Sequence, residues 1–431
     1  MQGAWLPPSV SFTPELMSLL HTSFLNAIAV AVRMLAMLGL NKLLALYVGP
    51  AGYAAIGQFQ NAITMITSFA SGAINTGVTK YTAEYHSDIS AQQRVWRTAG
   101  TISISCAVLA SFLIAIFNQQ LAVAVLKDEH QGGVFLWLAA TLLLFVLNAL
   151  LMAILNGKKE VPLYITANIA TSIVTLLATW GLARVWGLYG ALVALSINQS
   201  IVFFVTLILC LRTNWFRVNL LFGRMDRVIA RKLASYALMA TVTAVAIPFS
   251  QLLIRNHLVN AFGWDNAGLW QAVTRVSDMY LMLITTTLTV YYLPRLSEIN
   301  DNAQLCKEIA QVYRFILPVT ILGAIAVYLL RNWLITTLFT PAFAPMLDLL
   351  AWQLAGDVIK IGSWVLGFVM LARAMTKAYI ATEVIFSASL VVITYALTPW
   401  FGLKAAVIAF FINYLLYWLS IAIILNKTVY R

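Results

Sequence analysis

Charge is scarce in this sequence. Only 10% of its 431 residues are Asp, Glu, Lys or Arg, 61% are hydrophobic, and the mean hydropathy is +0.86. No soluble domain of this size has a core that could hide so much apolar surface, which excludes a soluble enzyme or binding module and makes the bilayer the solvent. Cysteine is nearly absent as well. Cys106, Cys210 and Cys306 have neither metal-site spacing nor the even count of a disulfide framework, and they read as packing residues. The four histidines, His21, His86, His130 and His257, are scattered without triad or metal spacing. The first twenty residues contain no Lys or Arg, so the basic region of a secretory leader is missing and no cleavage is expected. No GxxxxGKS or GxxxxGKT phosphate loop is present, which excludes direct use of ATP.

What is present is a succession of long apolar runs. Spanning about 30 Å of hydrocarbon takes roughly 20 residues of helix, because no water is available there to bond the backbone. Runs near 20–48, 52–82, 96–117, 133–156, 161–182, 187–211, 231–254, 266–294, 309–330, 346–371, 377–400 and 403–426 predict twelve spans. The second, eighth and tenth are long enough to protrude from the bilayer. A net charge of +12 can mark a nucleic-acid partner, but here the cations sit mainly in short loops between spans, so no nucleic acid is expected. Alternating the loops with the N-terminus inside places eighteen Lys and Arg on one side. The other side receives five: Lys127, Arg184, Arg255, Arg331 and Lys404. The positive-inside rule then predicts an inner-membrane protein with both termini and the loop 212–230 in the cytoplasm.

The chain also repeats itself at half its length. Residues 187–198 read GLYGALVALSIN and residues 402–413 read GLKAAVIAFFIN, so that Gly187, Leu188, Ala191, Ala194, Ile197 and Asn198 recur as Gly402, Leu403, Ala406, Ala409, Ile412 and Asn413, 215 positions on. A weaker match at an offset of 214 relates 48–88 to 262–302. Six spans per half make the repeats parallel. The predicted fold is therefore an all-α polytopic membrane protein with two six-helix lobes related by a pseudo-two-fold axis along the membrane normal. The lobes are 1–211 and 231–431, joined by the Arg-rich linker 212–230.

Four cations lie inside spans, where each costs about 2.5–3.5 kcal/mol even on the lenient insertion scale. They are Arg33, Lys42, Arg275 and Lys360; the acids inside spans are Asp278, Asp357 and Glu383. Arg275 with Asp278, and Asp357 with Lys360, are three residues apart on one helix face and read either as self-neutralising ion pairs or as charges turned toward a wet lumen. Arg33 has no carboxylate within a turn, which favours a cationic lumen; Lys42 either joins it or snorkels to the outer interface. A cationic cavity between two lobes suits an anionic head group, pyrophosphate above all, because guanidinium forks bind phosphate oxygens bidentately. Trp270 and Gln271 precede Arg275, Trp352 and Gln353 precede Asp357, and Gln58 and Asn61 occupy the equivalent stretch of the first lobe, as stacking rings and amides for sugars. Pro248 and Pro318 are expected to bend their helices.

Three stretches, GLWQAVTRVSDMYLMLITTTLTVYYLPRLSEI (268–299), LAWQLAGDVIKIGSWVLGFVMLA (350–372) and NTGVTKYTAEYHSD (75–88), resemble the Wzx-type polysaccharide flippases, with the enterobacterial lipid III branch the nearest. The likeness covers most of the chain, and the first twenty residues depart from it. It implies membership of the multidrug, oligosaccharidyl-lipid and polysaccharide exporter superfamily. It further implies passage of an undecaprenyl-pyrophosphate-linked oligosaccharide, an O-antigen or enterobacterial common antigen unit, to the periplasmic leaflet. Its partners would be that glycolipid, membrane lipid, and the polymerase and chain-length regulator of the same pathway. No cofactor is implied; coupling to a proton or sodium ion, or consumption of the product downstream, would supply the energy. Two other classes compete. A membrane-embedded polymerase would carry a large outer loop, and no outer loop here exceeds about twenty residues. A drug exporter would have an acidic cavity, whereas the intramembrane cations here outnumber the acids.

Overall fold

The computed structural model describes residues 14–299, 301–373 and 375–428; both chain ends, Arg431 included, lie outside the described residues. The chain is built of helices α1 (Pro14–Tyr47), α2 (Gly49–Ala70), α3 (Asn75–Glu84), α4 (Ile89–Ile116), α5 (Asn118–Leu126), α6 (Gly132–Gly157) and α7 (Val161–Leu211). There follow α8 (Arg227–Thr287), α9 (Leu293–Glu298), α10 (Asn302–Leu329), α11 (Arg331–Leu338), α12 (Leu347–Ala372), α13 (Thr376–Phe401) and α14 (Ala405–Thr428). No strand occurs among the described residues, as the bilayer demands of a chain whose every backbone group must be satisfied within its own segment.

Among the described residues, eight stretches are long and apolar enough to cross a membrane, and three of them, Val161–Leu211, Ala240–Thr287 and Thr376–Lys427, run to 51, 48 and 52 residues, about twice the length of one span. Each holds a glycine in the left-handed region: Gly187 at φ 56°, Gly263 at φ 85° and Gly402 at φ 56°. A side chain resists that conformation, so glycine is where one helix hands over to the next. Each stretch is thus two helices meeting at a corner, a layout compatible with the twelve predicted spans. Pro248 and Pro318 lie inside α8 and α10, and the residue with non-helical φ/ψ in α8 is Gly263. The second predicted run is likewise two helices. Ser71–Ile74 interrupts it, with Gly72 and Ala73 at φ 66° and 51°, and the eighth run loosens into a π-turn at Leu288–Tyr292.

The repeat is written in the backbone. Gly187 and Gly402 have φ/ψ of 56/−131° and 56/−134°. Glu160 and Met375, which precede α7 and α13, have −76/64° and −77/57°. Helix α6 (132–157) and helix α12 (347–372) are displaced by 215 residues at both ends. Asp88 and Asp301 each cap a 28-residue helix by accepting a backbone N–H three residues on, from Ala91 and Gln304. Two lobes follow, each with its own packed cluster. A third, shared cluster joins them through Tyr53, Phe339 and Phe343, whose rings meet at 5.1–5.9 Å. Between helices in lipid the cohesion is close packing rather than escape from water. Helices α2 and α8 come so near that a Cβ on Gly268 would lie 1.8 Å from the Pro50 carbonyl oxygen.

Candidate functional site

The second lobe encloses a cavity of about 390 Å³ between α8, on both sides of its corner, and α12, α13 and α14. Trp270, Asp278, Gln353, Asp357, Lys360 and Glu383 line it. Asp357 is fully buried in the wall and accepts hydrogen bonds from the Tyr280 hydroxyl at 3.0 Å and the Gln353 amide at 3.2 Å. The Lys360 ammonium stands over the rings of Trp364, Phe410 and Tyr414 at 5.0, 5.8 and 5.9 Å, an aromatic cage whose ring quadrupoles attract the cation. Asp278 is open to the cavity. Glycine makes the cage possible, because a Cβ on Gly356 would meet the Phe410 ring at 2.5 Å.

The two pairs expected from their spacing are not contact ion pairs, since neither Arg275 with Asp278 nor Asp357 with Lys360 comes within the 4.0 Å of a salt bridge. Hydrogen-bonding amides and aromatic rings on neighbouring helices reach these groups first. The expectation of a cationic lumen is corrected too: the second-lobe cavity holds three carboxylates, on Asp278, Asp357 and Glu383, to the one ammonium of Lys360.

The remaining sequence-predicted residues are distributed elsewhere. Arg275 points to the first lobe, where it donates to Gln60 Oε1 at 2.5 Å and lies 5.2 Å from the Tyr53 ring centre. Lys42 donates to the carbonyls of Thr336 at 3.2 Å and Phe339 at 2.9 Å, capping the end of α11 across the lobe boundary. Arg33 is exposed on α1, and Trp352 is 42% exposed with its ring edge-on to Phe411, so both face away from this cavity. The Asn61 amide nitrogen is buried without a partner.

Arg255, placed by sequence in an outer loop, is instead 1% exposed inside α8. It donates to Gln58 Oε1 at 2.9 Å and to Gln271 Oε1, and stacks at 5.3 Å on Trp270. Gln58 in turn donates to Asn256 Oδ1 at 2.9 Å and the Leu252 carbonyl at 3.3 Å. The boundary between the lobes is therefore crossed by two guanidiniums held by neutral amides. The available signal was the pair Gln58 and Gln60, two amides in an apolar run that need partners. Among the described residues, no three His, Cys, Asp or Glu side chains converge as a metal site would require.

Comparison with known proteins agrees with this architecture. A family profile described as polysaccharide biosynthesis protein matches residues 49–348. The chain is 30% identical over 401 residues to the lipid III flippases of Escherichia coli K12 and Shigella flexneri, covering 93% of this chain and 96% of each of theirs. Among solved structures, an inward-facing multidrug resistance MATE family transporter of the MOP superfamily superposes with a TM-score of 0.76 at 11% identity, covering 93% of this chain and 98% of that one. An outward-facing one gives 0.67 at 12% identity, over 93% and 95%. At such identities the structural likeness speaks for the fold alone.

Proposed function

Starting from the fact that the chain belongs to the polysaccharide biosynthesis protein family, we propose that it is a flippase. It carries an undecaprenyl-pyrophosphate-linked oligosaccharide, an O-antigen or enterobacterial common antigen unit, from the cytoplasmic to the periplasmic leaflet of the bacterial inner membrane. The observation that carries this reading is full-length relatedness to lipid III flippases on a two-lobe transporter fold. It breaks no covalent bond and is not an enzyme.

Lobes 1–211 and 231–431 rock about the linker 212–230, with both termini in the cytoplasm. In this arrangement the lobes are fastened at the end that is periplasmic by charge: Lys42 caps α11, the Ala51 N–H donates to Asp265 Oδ1 at 3.1 Å, and Tyr53 sits between Phe339 and Phe343. The sugars and pyrophosphate pass between the lobes while the polyprenyl tail stays in lipid. Lys360 is the cation available to phosphate in the second-lobe cavity. Asp278, Asp357 and Glu383 are suited to a coupling proton or sodium ion and oppose a purely anionic cargo inside that cavity. The polymerase and chain-length regulator of the pathway would act on the delivered glycolipid.

Deletion of the protein should trap one lipid-linked oligosaccharide on the cytoplasmic leaflet, and its periplasmic delivery at the wild-type rate would end the proposal. The three carboxylates favour a second reading, an ion-coupled exporter of organic cations. Uptake of such cations, but not of glycolipid, by proteoliposomes would support it.

A further inference from the structure

A second cavity, of about 490 Å³, lies in the first lobe between α3, α6 and the start of α7. Five residues of α6 and α7 line it: Ala149, Met152, Ala153, Asn156 and Tyr164. Moved by the repeat offset of 215, they become Trp364, Gly367, Phe368, Leu371 and Tyr379, and all five of those line the second-lobe cavity. The two cavities are the same place in two copies of one fold.

Their chemistry has diverged. The second-lobe copy sets Trp364, Phe368 and Leu371 where the first-lobe copy sets Ala149, Ala153 and Asn156. The rest of the first-lobe wall is Asn75, Thr76, Thr79 and Lys80, which follow the Ser71–Ile74 interruption. Gly157 lets α6 close on this segment, since a Cβ there would lie 2.6 Å from the Thr79 carbonyl oxygen. Thr79 spends its hydroxyl on the Ala153 carbonyl at 3.1 Å. The Asn75 side-chain amide oxygen is buried with no partner, while Thr76 and Asn156 are exposed and, like the Tyr164 hydroxyl, bond no other protein side chain or carbonyl among the described residues. A buried amide oxygen without a partner, gathered in one pocket with accessible polar groups that bond no protein atom, points to a polar ligand that engages them.

Resting on the flippase reading, we infer that this first-lobe pocket is the subsite for the sugar head group of the glycolipid. Two amides and two hydroxyls match the hydroxyls and acetamido groups of a saccharide, while the phenol ring of Tyr164 offers a face to sugar C–H groups. The two lobes divide the cargo, sugar on the first and the charged groups with Lys360 on the second. Lys80 in α3 and Lys158 and Lys159 in the loop beside it put the pocket at the cytoplasmic mouth, where the substrate enters.

The test measures equilibrium binding to the full chain in lipid nanodiscs with two probes, undecaprenyl pyrophosphate bearing its oligosaccharide and undecaprenyl pyrophosphate with no sugar. Asn156→Leu, which installs the residue of the second-lobe copy at an exposed position, and Tyr164→Phe, which removes only a hydroxyl, threaten the fold little. Together they should weaken the glycosylated lipid by about tenfold, the worth of one or two lost hydrogen bonds, and leave the sugar-free lipid unchanged. Equal affinity of wild type and variant for the glycolipid would overturn the subsite, as would an equal loss for both lipids. A wild-type protein that binds neither lipid would instead refute the flippase reading on which the subsite rests.

Discussion

Replacing Gln58 should harm this protein more than replacing the arginine it holds. Arg255 is 1% exposed, faces no carboxylate, and receives its neutralisation only from the amide oxygens of Gln58 and Gln271 and the Trp270 ring. Gln58→Leu deletes one of those acceptors and leaves a buried guanidinium with only the Gln271 amide and the Trp270 ring, a loss of about 3–5 kcal/mol on the scale of a broken buried pair. Arg255→Met removes the charge with its desolvation penalty and leaves two neutral amides short of a donor, at about 1–3 kcal/mol. Gln58 keeps Asn256 and the Leu252 carbonyl in that variant. With the charge already gone, adding Gln58→Leu costs only its bonds with Asn256 and the Leu252 carbonyl, about 1–3 kcal/mol, so the double variant falls short of the sum of the singles by about 2 kcal/mol. Thermal unfolding of purified protein reads this directly, at roughly 2 °C per kcal/mol for a large chain. Additive losses, or a Gln58→Leu variant more stable than Arg255→Met, would refute the argument that amides alone neutralise this charge.

Reporter fusions at positions 220 and 427 should read cytoplasmic and one at 128 periplasmic; a periplasmic signal at 220 would break the six-plus-six arrangement. Asp357→Asn with Lys360→Met should give folded, inserted protein that fails to export glycolipid, and wild-type surface polysaccharide would mark both as scaffolding. Gly268→Ala drives a Cβ into the Pro50 carbonyl, 1.8 Å away, and should lower stability by about 1–3 kcal/mol in the same melting assay. Gly181→Ala, which meets nothing within 4 Å, is its neutral control. The Asp88 carboxyl is held below the usual carboxylate range, first by the Ala91 backbone N–H and then by the Ser90 hydroxyl. Its contribution is therefore present above the ordinary value near 3.9 and lost as pH falls through the lowered one. Hydrogen-exchange protection at the start of α4, taken relative to the intrinsic rate at each pH, should fall in wild type below about pH 4, and Asp88→Asn should flatten that fall.

The sequence by itself determined the solvent, the helical class, the repeat and the family, because each is an average over many residues or a match of long stretches. An apolar composition admits only backbone-satisfying helices in lipid, and the 215-residue offset seen in GLYGALVALSIN and GLKAAVIAFFIN is the same offset that relates α6 to α12 and Gly187 to Gly402. Partners of single charges needed the tertiary structure. Arg275 and Asp278 share a helix face, yet Arg275 reaches Gln60 in the other lobe; Lys360 lies one turn from Asp357, yet stands among three rings. Spacing along one helix sets which side chains can meet, but competition from other helices decides which do. Arg255 shows this most plainly. Beside Asn256 and His257 it reads as the end of a span, and only the packing of α2 on α8 encloses it with Gln58 and Gln271, because that contact joins residues 197 apart in the chain. The first-lobe pocket was hidden for the same reason: Asn75, Asn156 and Tyr164 are ordinary polar residues in sequence, and folding alone gathers them around one cavity and leaves the buried Asn75 amide oxygen unpaired.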